Sequence, residues 1–255
     1  MNFFDRFEKE NLLIAHRGYS AKFPENTLIA LENATTYADI IEFDITFTKD
    51  KKVVVIHDET LLRTSNAIDI FKNRDSYFVC DFTYAELLTL DFSSWFDKNI
   101  PLQKILLLEE VLELSKKYNI SLNIEIKDMS ETIFDEFYVK EIYYILEKQK
   151  MINEVLISSF NHNYLKILKA MDKSISTAAV FWESVPNNLL EYLKLLEVDS
   201  YHIDLSLVNK EQIDILKEKN IYTNIYTINK KEVQHSLYKN GIKAIFSDEN
   251  LKYKY

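Results

Sequence analysis

Four short strings in this chain of 255 residues bring together side chains that can exchange protons, ligate a cation or hold an anion. They are His16-Arg17-Gly18, Glu42-Phe43-Asp44, His57-Asp58 and Glu125-Ile126-Lys127. Each lies at, or just beyond, the carboxyl end of an apolar, β-rich run, or within one. Residues two apart along a strand point the same way, so Glu42 pairs with Asp44, and Glu125 with Lys127, on one face. Taken singly, the strings are ordinary: His57-Asp58 reads as a capped turn and Glu42-Phe43-Asp44 as a solvated strand face. Taken in order, they place two imidazoles, three carboxylates, a guanidinium and an ammonium at one rim. Such a cluster costs several kcal/mol to bury unless pairing or a ligand offsets it, which points to a site.

The elements that must position these groups follow from the apolar pattern. Strands are predicted at Leu12–Ala15, Ile40–Phe47, Val53–Ile56, Ser121–Ile126, Val155–Ser158, Ser176–Phe181, Ser200–Ile203, Tyr222–Tyr226 and Ala244–Phe246. Helices are predicted at Glu25–Tyr37, Lys104–Tyr118, Glu131–Lys150, His162–Met171, Pro186–Leu196, Lys210–Lys219 and Lys230–Lys239. In the second of these, Ile105, Leu108, Val111, Leu112 and Ser115 recur at three- and four-residue steps and form one stripe. Strands alternating with helices are βαβ units on a parallel sheet. At this length they predict an α/β fold, a (β/α)8 TIM-type barrel, whose catalytic groups sit at the carboxyl ends of the strands. The whole chain, 1–255, reads as a single domain with a small insertion after the third strand at about 59–103. That segment has no clear strand but carries Phe71, Tyr77, Phe78, Phe82, Tyr84, Phe92, Trp95 and Phe96. It reads as a packed subdomain that covers the site. Nine strand candidates compete for eight staves. Ile40–Phe47 and Val53–Ile56 are too close for a crossover helix. Either they form a hairpin turning at Lys49-Asp50, with Glu42 opposite His57 and Asp44 opposite Val55, or both are parallel staves; both arrangements bring Glu42, Asp44 and His57 to one mouth.

Composition narrows the function classes. Hydrophobic residues make up 47% and charged residues 28%, a globular balance that excludes wholesale disorder. A net charge of −9 argues against nucleic-acid binding, which needs a basic face. The lone cysteine, Cys80, excludes an internal disulfide and fits a reducing compartment. The early charges of the N-terminus do not suit a signal peptide, and no apolar run approaches a membrane span. The expected location is cytoplasmic, with no stable membrane insertion. With two glycines in the chain, tight turns at positive φ must use Asn, Asp or Lys.

The strings in context, LIAHRGYSAKFPENTLIALENA, IIEFDITFTKDKKVVVIHDETLLRTSN and LNIEIKD, closely resemble the glycerophosphodiester phosphodiesterase family. Ordered matches run from about Leu12 to Asn66, resume from Trp95 to Lys127 and return weakly at Leu156-Ile157-Ser158-Ser159-Phe160. The resemblance implies hydrolysis of a small-molecule glycerophosphodiester to glycerol 3-phosphate and an alcohol. It implies one divalent cation held by Glu42, Asp44 and Glu125, with His16 and His57 as the acid–base pair and Arg17 and Lys127 on the phosphate. It further implies attack by a glycerol hydroxyl on phosphorus, followed by opening of a cyclic phosphate by water. The residue types agree. Carboxylate ligands suit Ca²⁺ or Mg²⁺ better than zinc. Histidine as a side chain titrates near pH 6.5, so of two imidazoles one can accept a proton while the other donates.

The chain departs from the family pattern in three places. Lys51 replaces a glycine after the Lys-Asp turn, Tyr226 replaces a tryptophan in Tyr226-Thr227-Ile228-Asn229, and larger residues precede the retained Asp248. Pro24-Glu25-Asn26-Thr27 reads as a helix cap without a chemical role. Asp58 is expected to orient His57 or cap a turn. His162, His202 and His235 read as structural or surface residues. Two other functions compete: a phospholipase acting on lyso-lipids on the same barrel, and a catalytically silent barrel that binds phosphodiesters. The carboxylate trio and an acidic chain disfavour the first, and the presence of both histidines disfavours the second.

Overall fold

Alternation along the strands divides the apolar residues into two layers, and that division builds the molecule. The computed structural model describes residues 2–130 and 135–252. Eight strands run parallel and close into a barrel: β1 (Leu12–Ala15), β2 (Ile40–Phe47), β4 (Ser121–Ile126), β5 (Val155–Ser159), β6 (Ser176–Phe181), β7 (Ser200–Asp204), β8 (Tyr222–Tyr226) and β9 (Ala244–Ser247). Closure comes from the pairing of β1 with β2 on one side and with β9 on the other. Leu13, Ile41, Phe43, Ile124, Ile157, Tyr201 and Ile245 point outward into the main core against the helices. Their neighbours Leu12, Ile14, Ile40, Leu156, Ala178 and Ala244 fill the inside, together with Phe3 and Phe4 of an N-terminal 3-10 turn (Phe3–Arg6). Asn2 fixes this plug by donating to the Asp199 and Asn220 carbonyls at 2.9 and 2.8 Å. The barrel floor is therefore apolar, and the same strand faces turn polar toward the mouth.

The ninth strand is not a stave. β3 (Val53–Val55) pairs antiparallel with the upper part of β2, on the edge that the short β1 leaves free. The register pairs Ile45 with Val55 and Phe47 with Val53. The hairpin reading holds, but the expected pairing of Asp44 with Val55 is off by one residue. The cause is the turn: Thr48 and Lys52 close it, and Lys51 at φ +64° takes the left-handed conformation, so three residues and not two form the apex. Lysine thus fills the position where the family has glycine. The chain descends from this turn and delivers His57 beside the mouth.

The intervening helices are α1 (Leu28–Ala34), α2 (Ala67–Ile70), α3 (Tyr84–Leu87), α4 (Leu108–Tyr118), α5 (Asp135–Gln149), α6 (His162–Met171), α7 (Leu189–Leu196), α8 (Lys210–Glu218) and α9 (Lys231–Lys239). Three, α1, α4 and α7, begin later than the apolar period suggests, and before the first two the residues serve the loops. Ile105 packs with the 59–103 segment and not on α4. The expected helix start at Glu131 lies outside the described residues. Segment 59–103 carries α2 and α3 and its own core of Leu61, Ala67, Val79, Phe82, Leu87, Leu90 and Phe92, which closes on Val54 and Ile56 of the hairpin. Among the described residues, no helix is long and apolar enough to cross a membrane.

Positive φ occurs at Asn26, Lys51, Asn119, Lys150 and Asn220, as expected, and also at Arg17 and Glu197. Gly18, at φ +80°, has a separate reason to be glycine: a Cβ there would stand 2.7 Å from the Ala30 carbonyl carbon. This contact seats the loop after β1 against α1. At Gly241, φ +90°, the nearest atom would be a methyl of Ile213 at 3.6 Å. Gly241→Ala should therefore cost about 1–2 kcal/mol through backbone strain alone. Gly18→Ala should cost about 1–3 kcal/mol more, through overpacking. Urea unfolding of both variants checks this, and equal losses would show that the approach to α1 is not tight.

Candidate active site

One cavity of about 260 Å³ opens at the carboxyl end of the barrel and is lined by all seven residues singled out by type: His16, Arg17, Glu42, Asp44, His57, Glu125 and Lys127. Phe160, Val180, Trp182, His202, Tyr226, Thr227 and Phe246 complete its wall. A larger cavity, about 400 Å³, lies beside the starts of β1 and β2, bordered by Lys9, Asn11, Tyr37 and Gln234. Neither metal-ligand cluster found among the described residues lies there.

β2 delivers Glu42 and Asp44, each 1% exposed, and β4 delivers Glu125 in register beside Asp44. Ligand oxygens of the three carboxylates lie within 4.8 Å of one another. Lys127 donates to Glu125 Oε1 at 2.8 Å and stands 3.5 Å from Asp44 Oδ1. Asn26 donates to Asp44 Oδ2 at 2.9 Å, and the Arg17 amide donates to Glu42 Oε2 at 2.8 Å. Burial works against ionisation of Asp44, but Lys127, Arg17 and His57 hold its carboxyl well below the usual range. Glu42 moves the other way, raised by burial and by the charges of Asp44 and Glu125. A trio that forces one carboxyl up lacks positive charge, and an oxygen-only donor set with that deficit fits a hard divalent cation. The second cluster, Glu25, His57 and Asp58, has no such deficit: its carboxylate oxygens are taken by Arg17, Arg63 and the His57 ring.

His16 and His57 are each held by a carboxylate. His16 Nδ1 lies 2.7 Å from Asp248 Oδ1, and His57 Nδ1 lies 2.7 Å from Asp58 Oδ1. Nε2 of each ring is thereby the nitrogen left for a ligand. Ser20 and Asn229 also donate to Asp248, at 3.0 and 2.7 Å. Arg63, from the 59–103 segment, grips Asp58 at 2.6 and 2.7 Å and Glu25 at 2.7 and 2.8 Å, while Glu25 also accepts from Arg17 at 2.9 Å. An unbroken chain of ion pairs thus links His57 through Asp58, Arg63 and Glu25 to Arg17. The Arg17 Nε is buried without a hydrogen bond and stands 3.5 Å from Asp44 Oδ2, which adds to the charge balance of the trio.

The structure corrects one reading and refines another. Pro24-Glu25-Asn26-Thr27 is not a simple cap: the Thr27 hydroxyl donates to the Pro24 carbonyl at 2.6 Å, while Glu25 and Asn26 hold Arg17 and Asp44. His202 lines the cavity, yet burial pushes its imidazole down to about 3, so it stays neutral there. Sequence reasoning gave no role to Glu25, Asn26, Arg63, Asn229 or Asp248. The signals available were the strings Pro24-Glu25-Asn26-Thr27 and Phe246-Ser247-Asp248.

Burial would raise Asp248, but the His16 hydrogen bond and charge, with Asn229 and Ser20, bring it down to about 2. Its folded value lies below the ordinary aspartate value near 3.9, so its stabilisation is complete above that value and lost as pH falls through about 2. Asp248→Asn should lower stability by about 1–2 kcal/mol at pH 5–6, after allowance for solvent screening. That gap should close toward pH 2. Urea unfolding across pH checks it, and a gap independent of pH would remove the His16 pairing as its source.

The sequence pattern of the glycerophosphoryl diester phosphodiesterase family matches residues 16–252. The chain is 32% identical over 241 residues to a glycerophosphodiester phosphodiesterase of Bacillus altitudinis, covering 92% of this chain and 94% of that protein. It is 31% identical to one of Caldanaerobacter subterraneus, over 94% and 95% of the two chains. In structure it resembles an Oleispira antarctica phosphodiesterase solved in complex with the product sn-glycerol-3-phosphate, with a TM-score of 0.83 and 28% identity over 94% of each chain. A pattern that spans nearly the whole chain, on the same barrel, settles its kinship: the chain belongs to the glycerophosphoryl diester phosphodiesterase family.

Proposed function

We propose that this chain, as one cytoplasmic phosphodiesterase barrel over residues 1–255, hydrolyses glycerophosphodiesters to glycerol 3-phosphate and an alcohol. The observation that carries the reading is the convergence of two carboxylate-held imidazoles, three carboxylates and two cationic side chains on one cavity. The name of the Bacillus altitudinis relative and the product held by the Oleispira antarctica enzyme support it.

Glu42, Asp44 and Glu125 are the residues that would hold one divalent cation, Ca²⁺ or Mg²⁺, which when bound supplies positive charge to the phosphate oxygens. The Arg17 guanidinium and the Lys127 ammonium hold the phosphodiester and meet the negative charge that grows on it in the transition state. Asp248 and Asp58 fix the rings of His16 and His57 so that each presents Nε2. One Nε2 takes the proton of the glycerol hydroxyl next to the ester as that oxygen bonds phosphorus. The bond from phosphorus to the alcohol breaks, and the other Nε2 gives the departing oxygen its proton. Water then opens the cyclic phosphate with the roles exchanged, which restores both rings.

A panel of glycerophosphodiesters with coupled detection of glycerol 3-phosphate tests the reading. Turnover should vanish with a chelator and return with Ca²⁺ or Mg²⁺. His16→Ala and His57→Ala should each lower kcat by about 10²–10⁴, the double variant being little worse than either. The pH profile should be bell-shaped, its limbs belonging to the pair. Lys127→Ala should cost about 2–4 kcal/mol in the transition state while leaving the bell in place. Turnover of no ester would overturn the assignment. Multiplicative effects of the two histidine variants would overturn the shared relay.

A further inference from the structure

Part of the cavity wall takes no part in the chemistry above. Tyr226, at the end of β8, lies 6.4 Å from Trp182 with the rings 28° from parallel, and meets Phe160 and Phe246 edge-on at 6.4 Å. The Tyr226 hydroxyl donates to the Phe181 carbonyl at 2.5 Å, which fixes the ring and spends its hydroxyl. Phe160 already has the Lys127 ammonium 5.8 Å from its centre, so that ring belongs to the phosphate side. Trp182 is 64% exposed although it lines the cavity, which leaves a large aromatic face at the entrance.

This ledge offers little to a glycerol fragment, whose hydroxyls need donors and acceptors. The histidines, carboxylates and cations across the cavity supply those. The ledge is instead suited to the departing alcohol. Its charge environment narrows the class further. Asp204 ends β7 in register beside Tyr226, which sets a carboxylate on the neighbouring strand. Glu183, next to Trp182, is exposed at the same rim. Electron-rich aromatic faces among carboxylates attract a weakly hydrated cation and offer no closed channel for an acyl chain.

We propose, on the basis of the phosphodiesterase reading above, that Trp182 and Tyr226 form the subsite for the departing alcohol and select one that carries a quaternary ammonium group. Two substrates of equal shape separate charge from apolar contact: glycerophosphocholine and its neutral 3,3-dimethylbutyl analogue. The wild-type chain should favour the choline ester by about tenfold in kcat/KM. Trp182→Leu, which keeps apolar area without a ring, should bring the ratio near one, and Trp182→Phe should retain part of it. Equal kcat/KM for the two esters in the wild-type chain would overturn the proposal, as would an unchanged ratio in both Trp182→Leu and Tyr226→Leu. Calorimetric titration of the same two esters reads the preference without turnover. Tenfold tighter binding of the choline ester with no hydrolysis of either would refute the phosphodiesterase reading and uphold the ammonium subsite. Hydrolysis of both without the preference would do the reverse.

Discussion

Three carboxylates crowded inside a barrel mouth are the constraint on which the rest of this structure turns. Each buried ion is several kcal/mol worse off than in water, and nearby like charges deepen the cost. The compensating groups come from separate parts of the chain: Arg17 from the loop after β1, Lys127 from the end of β4 and Asn26 from the loop before α1. Arg17 at φ +55° turns its amide to Glu42 while its guanidinium reaches Glu25, and Gly18 lets that turn lie against α1. What remains uncompensated is at Glu42, whose only hydrogen-bond donor among the described residues is a backbone amide.

The barrel allows this arrangement because one strand face serves two purposes along its length. Leu12 and Ile14 of β1, and Ile40 of β2, lie in the dry floor with Phe3 and Phe4. One step further up the same faces stand His16 and Glu42. The floor gives the fold stability through burial, worth about 25 cal/mol per Å² of apolar area, and so leaves the mouth free to carry charge. The outer faces, Leu13, Ile41 and Phe43 among them, keep the helix layer in place whatever happens inside.

Much of this was legible in the sequence because period-two alternation is a strong signal. β1, β2, β4, β6 and β8 end where β-rich runs end, and the inward pairs Glu42/Asp44 and Glu125/Lys127 follow from parity alone. The hairpin register was not legible, since a left-handed Lys51 adds one apex residue without changing any spacing. The starts of α1 and α4 were overrun for a related reason. Loops at the carboxyl ends of strands borrow residues from the helical period, as Glu25 and Asn26 do for the site and Ile105 does for the core of segment 59–103. The pairing of partners distant in sequence, such as Asp248 with His16, 232 positions away, is carried by no local spacing.

The two imidazole–carboxylate pairs look alike but rest on different supports. Asp248 follows the last stave and is steadied by Ser20 and Asn229, neutral donors from the loops after β1 and β8. His16 therefore depends on the closed barrel alone. Asp58 is steadied by a guanidinium from segment 59–103, and the hairpin that carries His57 is braced by the same segment, where Lys49 donates to the Phe82 carbonyl and Tyr84 to the Asp50 carboxylate. Its exposed ion pairs add little stability, yet they set where the ring points and tie it through Glu25 to Arg17. The barrel thus supports one of the two imidazoles proposed to move protons, and the aromatic segment that interrupts it supports the other.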